Sequence, residues 1–341
     1  MPELVDQLAE LTGSRARDVL DTTLATALRE LLDPRCVSIV RCVGPEGAQR
    51  WLIRARLGRH DVAASADPIW ADLEGLPGLA DFPHRQDALT CLAPVLLRGP
   101  PAASIFPLAS DREVVGVVEI ESDEPLPAAA RRLVTSILRI YRNIQGLLDY
   151  SERDTLTGLL NRKTFDEAFY KLSTSAAAVG EAENDRRAHE GRLTHYVGVI
   201  DIDHFKTVND TWGHLIGDEV LLLLSRLMRS SFRFHDRLFR YGGEEFVVLV
   251  RCGGDADAGV AFERLRANVQ GYVFPQVGQI TVSIGYTAVR PGDSPNATFE
   301  RADRAVYWAK AHGRNQICSH ADLVARGEVD ADDKVGDVEL F

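Results

Sequence analysis

Between Arg240 and Leu249 the chain reads Arg-Tyr-Gly-Gly-Glu-Glu-Phe-Val-Val-Leu, and few folds accept such a run. Phe246 to Leu249 is an apolar strand, and Gly242 and Gly243 free the backbone ahead of it. Glycines, then acids, then a strand read as a tight hairpin turn that presents a carboxylate beside a neighbouring strand. A second run matches it. In Val199-Ile200-Asp201-Ile202-Asp203 an apolar strand ends in two acids, and the period of two places Asp201 and Asp203 on one face as paired oxygen donors. Asp201 and Glu244 together could hold Mg²⁺, a hard cation that keeps substrate phosphates in its shell. Taken singly, each run reads more readily as a solvated strand end.

Including these runs, strand patterns at 196–202, 245–250 and 280–287 alternate with helical patterns at 163–172, 217–229, 258–269 and 299–311. That alternation predicts an α/β or α+β domain over residues 154–318, built around a sheet. Residues 173–192 are polar and without periodicity, and read as a loop; residues 319–341 read as an acidic tail, unfolded until its last residues.

The first part of the chain is a separate domain, residues 1–125. Apolar residues at helical spacing from Leu4 to Leu32 predict a helix or helix pair. Strand runs at 36–43 and 51–57 form one hairpin, and runs at 103–108 and 114–121 another. Residues 63–101 between them carry little pattern. Residues 126–153 read as a connecting helix. Its apolar positions Leu133, Ile137, Ile140, Ile144 and Leu147 follow the 4-3-4-3 seam of a two-stranded coiled coil. The alternative is a helix that packs this stripe on its own domain.

Composition narrows the function. A net charge of -11 excludes a general nucleic-acid binder, which needs a basic footprint, and leaves divalent-metal chemistry open. No apolar run approaches the roughly 18 residues of a membrane span, and the start lacks a secretory pattern, so no membrane insertion is expected. Five cysteines without a C-x-x-C pair fit a reducing cytoplasm. Cys91, His60 and His84 match no haem or bilin attachment spacing, and ordinary structural roles are expected.

The sequence then resembles a known family. Gly242-Gly243-Glu244-Glu245-Phe246 is similar to the signature that names the GGDEF domains, in its GGEEF form. The resemblance extends to Asp154-Thr-Leu-Thr-Gly-Leu-Leu-Asn-Arg162, to Asp201-Ile-Asp-His-Phe-Lys-Thr-Val-Asn-Asp210, to Gly213-His214 with Gly217-Asp218, and to residues 302–315. It implies a diguanylate cyclase with a palm-like nucleotidyl-cyclase fold, joining two GTP into cyclic di-GMP and two pyrophosphates. The domain order ahead of it resembles a GAF- or PAS-like sensory module with an unknown signal.

The resemblance also implies roles. Asp201, the carbonyl of Ile202 and Glu244 would hold two Mg²⁺ ions, with Mn²⁺ as a substitute. Glu244 would also take the proton of the attacking 3′-hydroxyl, and Lys206 would stabilise phosphate charge. Backbone N–H groups near His204 and Phe205 would hold the triphosphate. Lys310 and Arg314, one helical turn apart, would grip its β- and γ-phosphates from a single face. Asn209 and Asp218 would read guanine, with His214 as a further contact. Arg233-x-x-Asp236 matches the family's inhibitory product site, with Arg264 or Arg266 as a secondary contact. Since each site takes one GTP, a homodimer is required. A silent GTP or cyclic di-GMP receptor, and a cyclase of altered base choice, are the competing readings.

Overall fold

The computed structural model describes residues 17–45, 47–68, 71–109, 114–179 and 193–330. They divide into two compact units, the first ending at Ser151 and the second starting at Glu152.

The first unit is a five-stranded antiparallel sheet in the order β2-β1-β5-β4-β3. Helix α1 (Arg17–Leu32) leads into the expected hairpin of β1 (Cys36–Val43) and β2 (Arg50–Gly58). The stretch with little pattern contains α2 (Pro83–Cys91) and the short β3 (Val95–Leu97), and the second hairpin is β4 (Ala102–Ala109) with β5 (Val114–Ser122). One face of the sheet packs on Leu20, Leu24 and Leu28 of α1 and on α3 (Ala128–Glu152).

Helix α3 corrects the expected linker. Val134, Ile137, Tyr141 and Gln145 are buried in the first unit, and Leu133, Ile140 and Ile144 pack against the same core. The apolar stripe is therefore the broad one of a core-facing helix, wider than a coiled-coil seam. Of the seam positions only Leu147 stands clear, at 71% exposure. The stripe is covered by its own domain, and the domain boundary moves from 125 to 151.

The second unit is a six-stranded sheet in the order β13-β12-β7-β9-β8-β6. Its strands are β6 (Leu160–Asn161), β7 (Thr194–Ile202), β8 (Arg237–Arg240), β9 (Glu245–Cys252), β12 (Val282–Ala288) and β13 (Ile317–Ser319), with β10 (Val273–Phe274) and β11 (Gly278–Gln279) as a separate ribbon. Its helices are α4 (Arg162–Val179), α5 (Phe205–Trp212), α6 (His214–Ser231), α7 (Asp255–Gly271), α8 (Pro295–Ala311) and α9 (His320–Ala325). Both faces are covered, so the central strands are apolar throughout. Ile200 and Ile202 meet Val220, Leu224 and Phe262 on the α6–α7 side. Val197 and Val199 meet Phe165 of α4 and Ala302 and Val306 of α8 on the other.

Two expectations change here. The loop foreseen from Ser173 is helical as far as Val179, because α4 continues; residues 180–192 lie outside the described residues. The foreseen tail begins with folded structure. Strand β13 runs parallel to β12, pairing Ile317 with Ile284 and Ser319 with Tyr286. Ser319 then caps α9 by accepting the Asp322 N–H, and His320 and Leu323 are buried. An acidic average conceals these apolar anchors. The last residues, 331–341, lie outside the described residues.

Candidate active site

Asp201 sits at the end of β7, opposite Ser283 of β12 on one side and Glu245 of β9 on the other. By alternation with Val197 and Val199 it faces α8. That helix can lie against β12 because Gly285 has no side chain: a Cβ there would meet Ala302 O at 2.2 Å and Val306 N at 2.5 Å. The close approach brings Lys310 Nζ to 2.6 Å from Asp201 Oδ1.

The signature turn is the hairpin the sequence foresaw. Strands β8 and β9 pair antiparallel, and the N–H groups of Tyr241 and Gly242 donate to Glu245 O, at 2.9 and 3.2 Å. A Cβ on Gly242 would meet Glu245 Oε2 at 2.4 Å, so the glycine makes room for that carboxylate. The turn is braced from a distance. Arg240 donates to Gly243 O (2.9 Å) and to Asp154 Oδ1 (3.1 Å), while Asp154 is held by the Thr157 N–H and hydroxyl at 2.8 and 2.7 Å. The opening motif block is thus a clamp on the signature turn.

The electrostatics single out this end of the sheet. Burial pushes Asp201 above the usual carboxylate range, against the pull of Lys310. Burial and then the Asp201 charge raise Glu244. Glu245 is raised by burial, Asp201 and Asp303, and Asp303 by desolvation and Asp201. Four carboxylates therefore share one neighbourhood with Lys310. Like charges that raise one another are a demand for a cation, and an all-oxygen donor set suits a hard divalent ion. Among the described residues no three acid, histidine or cysteine side chains form a ready metal cage. A Mg²⁺ site completed by a backbone carbonyl, water and substrate phosphates needs none. The residues fit such an ion. Glu245 and Asp303 were missed as members of the cluster, although Asp303 lies two helical turns before Lys310 on the same face of α8.

Asp203 does not offer its oxygens to a metal as expected. Its Oδ1 accepts the Ser283 hydroxyl (2.7 Å). Its Oδ2 accepts the Thr281 hydroxyl (2.7 Å) and the Asn315 N–H (3.0 Å). Three donors occupy the carboxylate.

Next to it the chain turns into α5. His204 precedes the helix in a left-handed conformation (φ 59°), Phe205 is buried, and Lys206 is exposed in the first turn. At the far end, a Cβ on Gly217 would lie 2.0 Å from Asn209 Oδ1. The Asn209 amide therefore occupies the space over Gly217, beside the exposed Asp218. The structure brings together these two guanine-reading candidates. His214 is exposed at the start of α6.

Arg314 departs from expectation. Helix α8 stops at Ala311, and Gly313, Arg314 and Asn315 take φ values of 110°, 59° and 46°. Arg314 is therefore in a closing turn, with its N–H on Ala309 O (2.9 Å), and shares no helical face with Lys310. Glycine just past a helix end is the usual terminator; the two residues after it adopt a conformation costing roughly 1–2 kcal/mol each.

At Arg233-x-x-Asp236 the carboxylate accepts the Arg233 N–H (2.8 Å), and burial raises Asp236. Arg264 donates to Ser231 O (2.7 Å) and lies close enough to act on Asp236. Arg266 points elsewhere, to Glu263 (2.6 Å) and Asn315 (2.8 Å). Of the two candidates for the secondary contact, only Arg264 is placed for it.

Comparison with known proteins converges on this unit. Residues 151–316 match the family model described as "Diguanylate cyclase, GGDEF domain". The chain is similar to the response regulator PleD of Caulobacter vibrioides, 38% identical over 197 residues, covering 56% of this chain and 40% of PleD. It is similar to the diguanylate cyclase DgcZ of Escherichia coli, 37% identical over 169 residues, covering 49% of this chain and 52% of DgcZ. Among solved structures, the GGDEF domain of DgcB from Caulobacter crescentus in complex with c-di-GMP is 32% identical with a TM-score of 0.44, covering 50% of this chain and 96% of that one. The chain spans about half or less of the length of the curated relatives named here.

Proposed function

Residues 151–316 are a GGDEF domain of the diguanylate cyclase family, and on that premise we propose that this chain condenses two GTP into cyclic di-GMP and two pyrophosphates. The observation that carries the reading is the carboxylate surplus around Asp201 and Glu244, beside the signature turn and facing Lys310.

Asp201, the Ile202 carbonyl and Glu244 would hold Mg²⁺, with Mn²⁺ as a substitute; when bound, the ions supply charge neutralisation and a polarised α-phosphoryl group. The protein's own groups do the rest. Glu244, raised above its ordinary value by burial and then by the Asp201 charge, takes the proton of the 3′-hydroxyl. Lys206, Lys310 and Arg314 meet phosphate oxygens, with the N–H groups at the start of α5. Asn209 and Asp218 read the guanine, the Asp218 carboxylate accepting from its N1–H and N2 amino group, which adenine does not present in that form. His214 stands as a further substrate contact.

Each site takes one GTP, so two domains must face each other, each 3′-hydroxyl attacking the other's α-phosphate. A homodimer is therefore part of the mechanism, and pairing two chains raises the effective concentration of the sites. Arg233 and Asp236, with Arg264, form the product-inhibition site. The first unit is read as a GAF-like sensory domain, a reading supported by its β2-β1-β5-β4-β3 sheet between helices. Its signal acts through α3. The cysteine content supports a reducing compartment, the cytoplasm.

The test begins by stripping bound nucleotide with a cyclic di-GMP phosphodiesterase and removing that enzyme. GTP and Mg²⁺ are then added and products identified by mass. Cyclic di-GMP from the native chain and none from Glu244→Ala is the expected result. No product from a folded, dimeric sample would move the reading to a receptor that binds without turnover.

A further inference from the structure

Asp203 is buried at 5% exposure, and it lies outside the proposed metal-binding set, with both carboxylate oxygens taken by protein donors. Its three partners come from two segments. Thr281 immediately precedes β12 and Ser283 lies at its start, and Asn315 belongs to the turn that follows α8. That turn carries Arg314. Arg314 and Asn315 hold left-handed backbone conformations that side chains avoid, and such conformations persist where surrounding contacts enforce them, above all at functional sites.

The contacts that enforce this one can be named. The Arg314 N–H closes on Ala309 O at 2.9 Å. The Asn315 N–H goes to the Asp203 carboxylate, and Asn315 Oδ1 accepts from Arg266 Nη1 at 2.8 Å. The Gln316 amide closes the turn on Ala309 O and His312 O, each at 2.9 Å. Of these, only the Asp203 bond ties the turn to the residue just past β7, two positions after Asp201. A charged acceptor on a backbone N–H is among the stronger hydrogen bonds available.

We infer that Asp203 is a positioning residue for the triphosphate: by anchoring Asn315 to the end of β7, it sets Arg314 at a fixed place relative to Asp201. The inference rests on the reading of Arg314 as a phosphate ligand. Asp203 touches no reacting atom; it acts through Arg314, and its effect is confined to nucleotides that carry β- and γ-phosphates.

A double-mutant cycle in the full chain tests this, with Mg²⁺ present and two probes: α,β-methylene-GTP, which cannot be cyclised, and GMP. Arg314→Ala and Asp203→Ala should each weaken the GTP analogue about tenfold and leave GMP within about twofold, as expected when one charge-assisted contact is lost. The double variant should bind the analogue no more weakly than the weaker single variant, because both changes remove the same contact. Multiplying losses, or a loss of GMP binding with Asp203→Ala, would overturn the inference and leave Asp203 an ordinary core residue. Analogue binding that ignores Arg314 would overturn the phosphate-site reading itself, and the inference with it. If Asp203→Ala fails to fold by thermal melting, Asp203→Asn goes through the same cycle. It keeps an acceptor for Asn315 without the charge, so about a threefold, Arg314-dependent loss is expected, and independence from Arg314 again counts against the inference.

Discussion

Both units gather charge around a buried carboxylate, Asp21 in the first and Asp201 in the second, and they do so in opposite ways. In the first, Asp21 of α1 accepts from the Tyr141 hydroxyl of α3 and from Arg41 of β1. Gln145 donates to the same hydroxyl (3.0 Å), and Arg54 lies 3.5 Å from the other carboxylate oxygen. Burial works against the Arg41 charge, but Tyr141 and Asp21 outweigh it and leave the guanidinium above its ordinary value. In the second unit, Asp201, Glu244, Glu245 and Asp303 crowd around Lys310, and the carboxylates push one another up. A balanced network ties elements together. An unbalanced one is held in readiness for something that brings the missing charge.

The comparison breaks most sharply at Glu244. Glu244→Gln should cut cyclic di-GMP formation by about 10²–10⁴, the scale of a lost proton acceptor, while the second unit melts at the same temperature or higher because a repulsive charge is gone. Full activity in that variant would mean the surplus is incidental. The balanced network should respond in reverse. Asp21→Ala leaves Arg41 buried without its carboxylate and should cost the first unit about 3–5 kcal/mol, read as a lowered first transition in calorimetry. A first unit indifferent to Asp21→Ala would show that α3 is held by its apolar stripe alone.

Adding a divalent ion sharpens the contrast. Mg²⁺ at a hundred times its dissociation constant should stabilise the second unit by about 2.7 kcal/mol and leave the first unchanged. Chelation should reverse the effect, and Asp201→Asn should abolish it. Equal stabilisation of both units would point to general screening instead of a site.

How far these differences could be read from residues alone varies with the kind of information involved. The hairpin at Gly242 and the strand end at Asp201 were readable because turn chemistry and alternation are local. The role of Asp203 was not, since its partners Thr281, Ser283 and Asn315 lie far along the chain and meet it only once β12 pairs with β7. A spacing of four suggests a shared helical face for Lys310 and Arg314, but Gly313 between them is a stop signal and ends the helix first. Ser319 three residues before Asp322 is likewise a cap pattern, hidden within an acidic stretch. In α3 the heptad positions and the core stripe overlap at Leu133, Ile137, Ile140 and Ile144, so spacing could not decide what covers the helix. Buried Tyr141 and Gln145 mark the core side, and Gln145, which donates to the Tyr141 hydroxyl, is invisible to an apolar count.

Strand β7 offers the finest test, since a third way of burying a titratable group lies at the end opposite Asp201. Burial, and then the charges of Arg251 and Arg237, lower His195 from 6.5 to about 4. The folded chain therefore keeps this imidazole neutral while the unfolded chain takes up a proton near 6.5. The stability His195 contributes is fully present above that value and is lost progressively as the pH falls through about 4. The carboxylates at the other end have the opposite sign: raised in the folded state, they favour folding at low pH and weaken it as the pH rises. The melting temperature of the second unit, followed in chelator from pH 7 to pH 4.5, should fall less steeply in His195→Gln than in the native chain. Parallel curves would mean that His195 is solvated in both states, and that the strand carries an electrostatic demand at its Asp201 end alone.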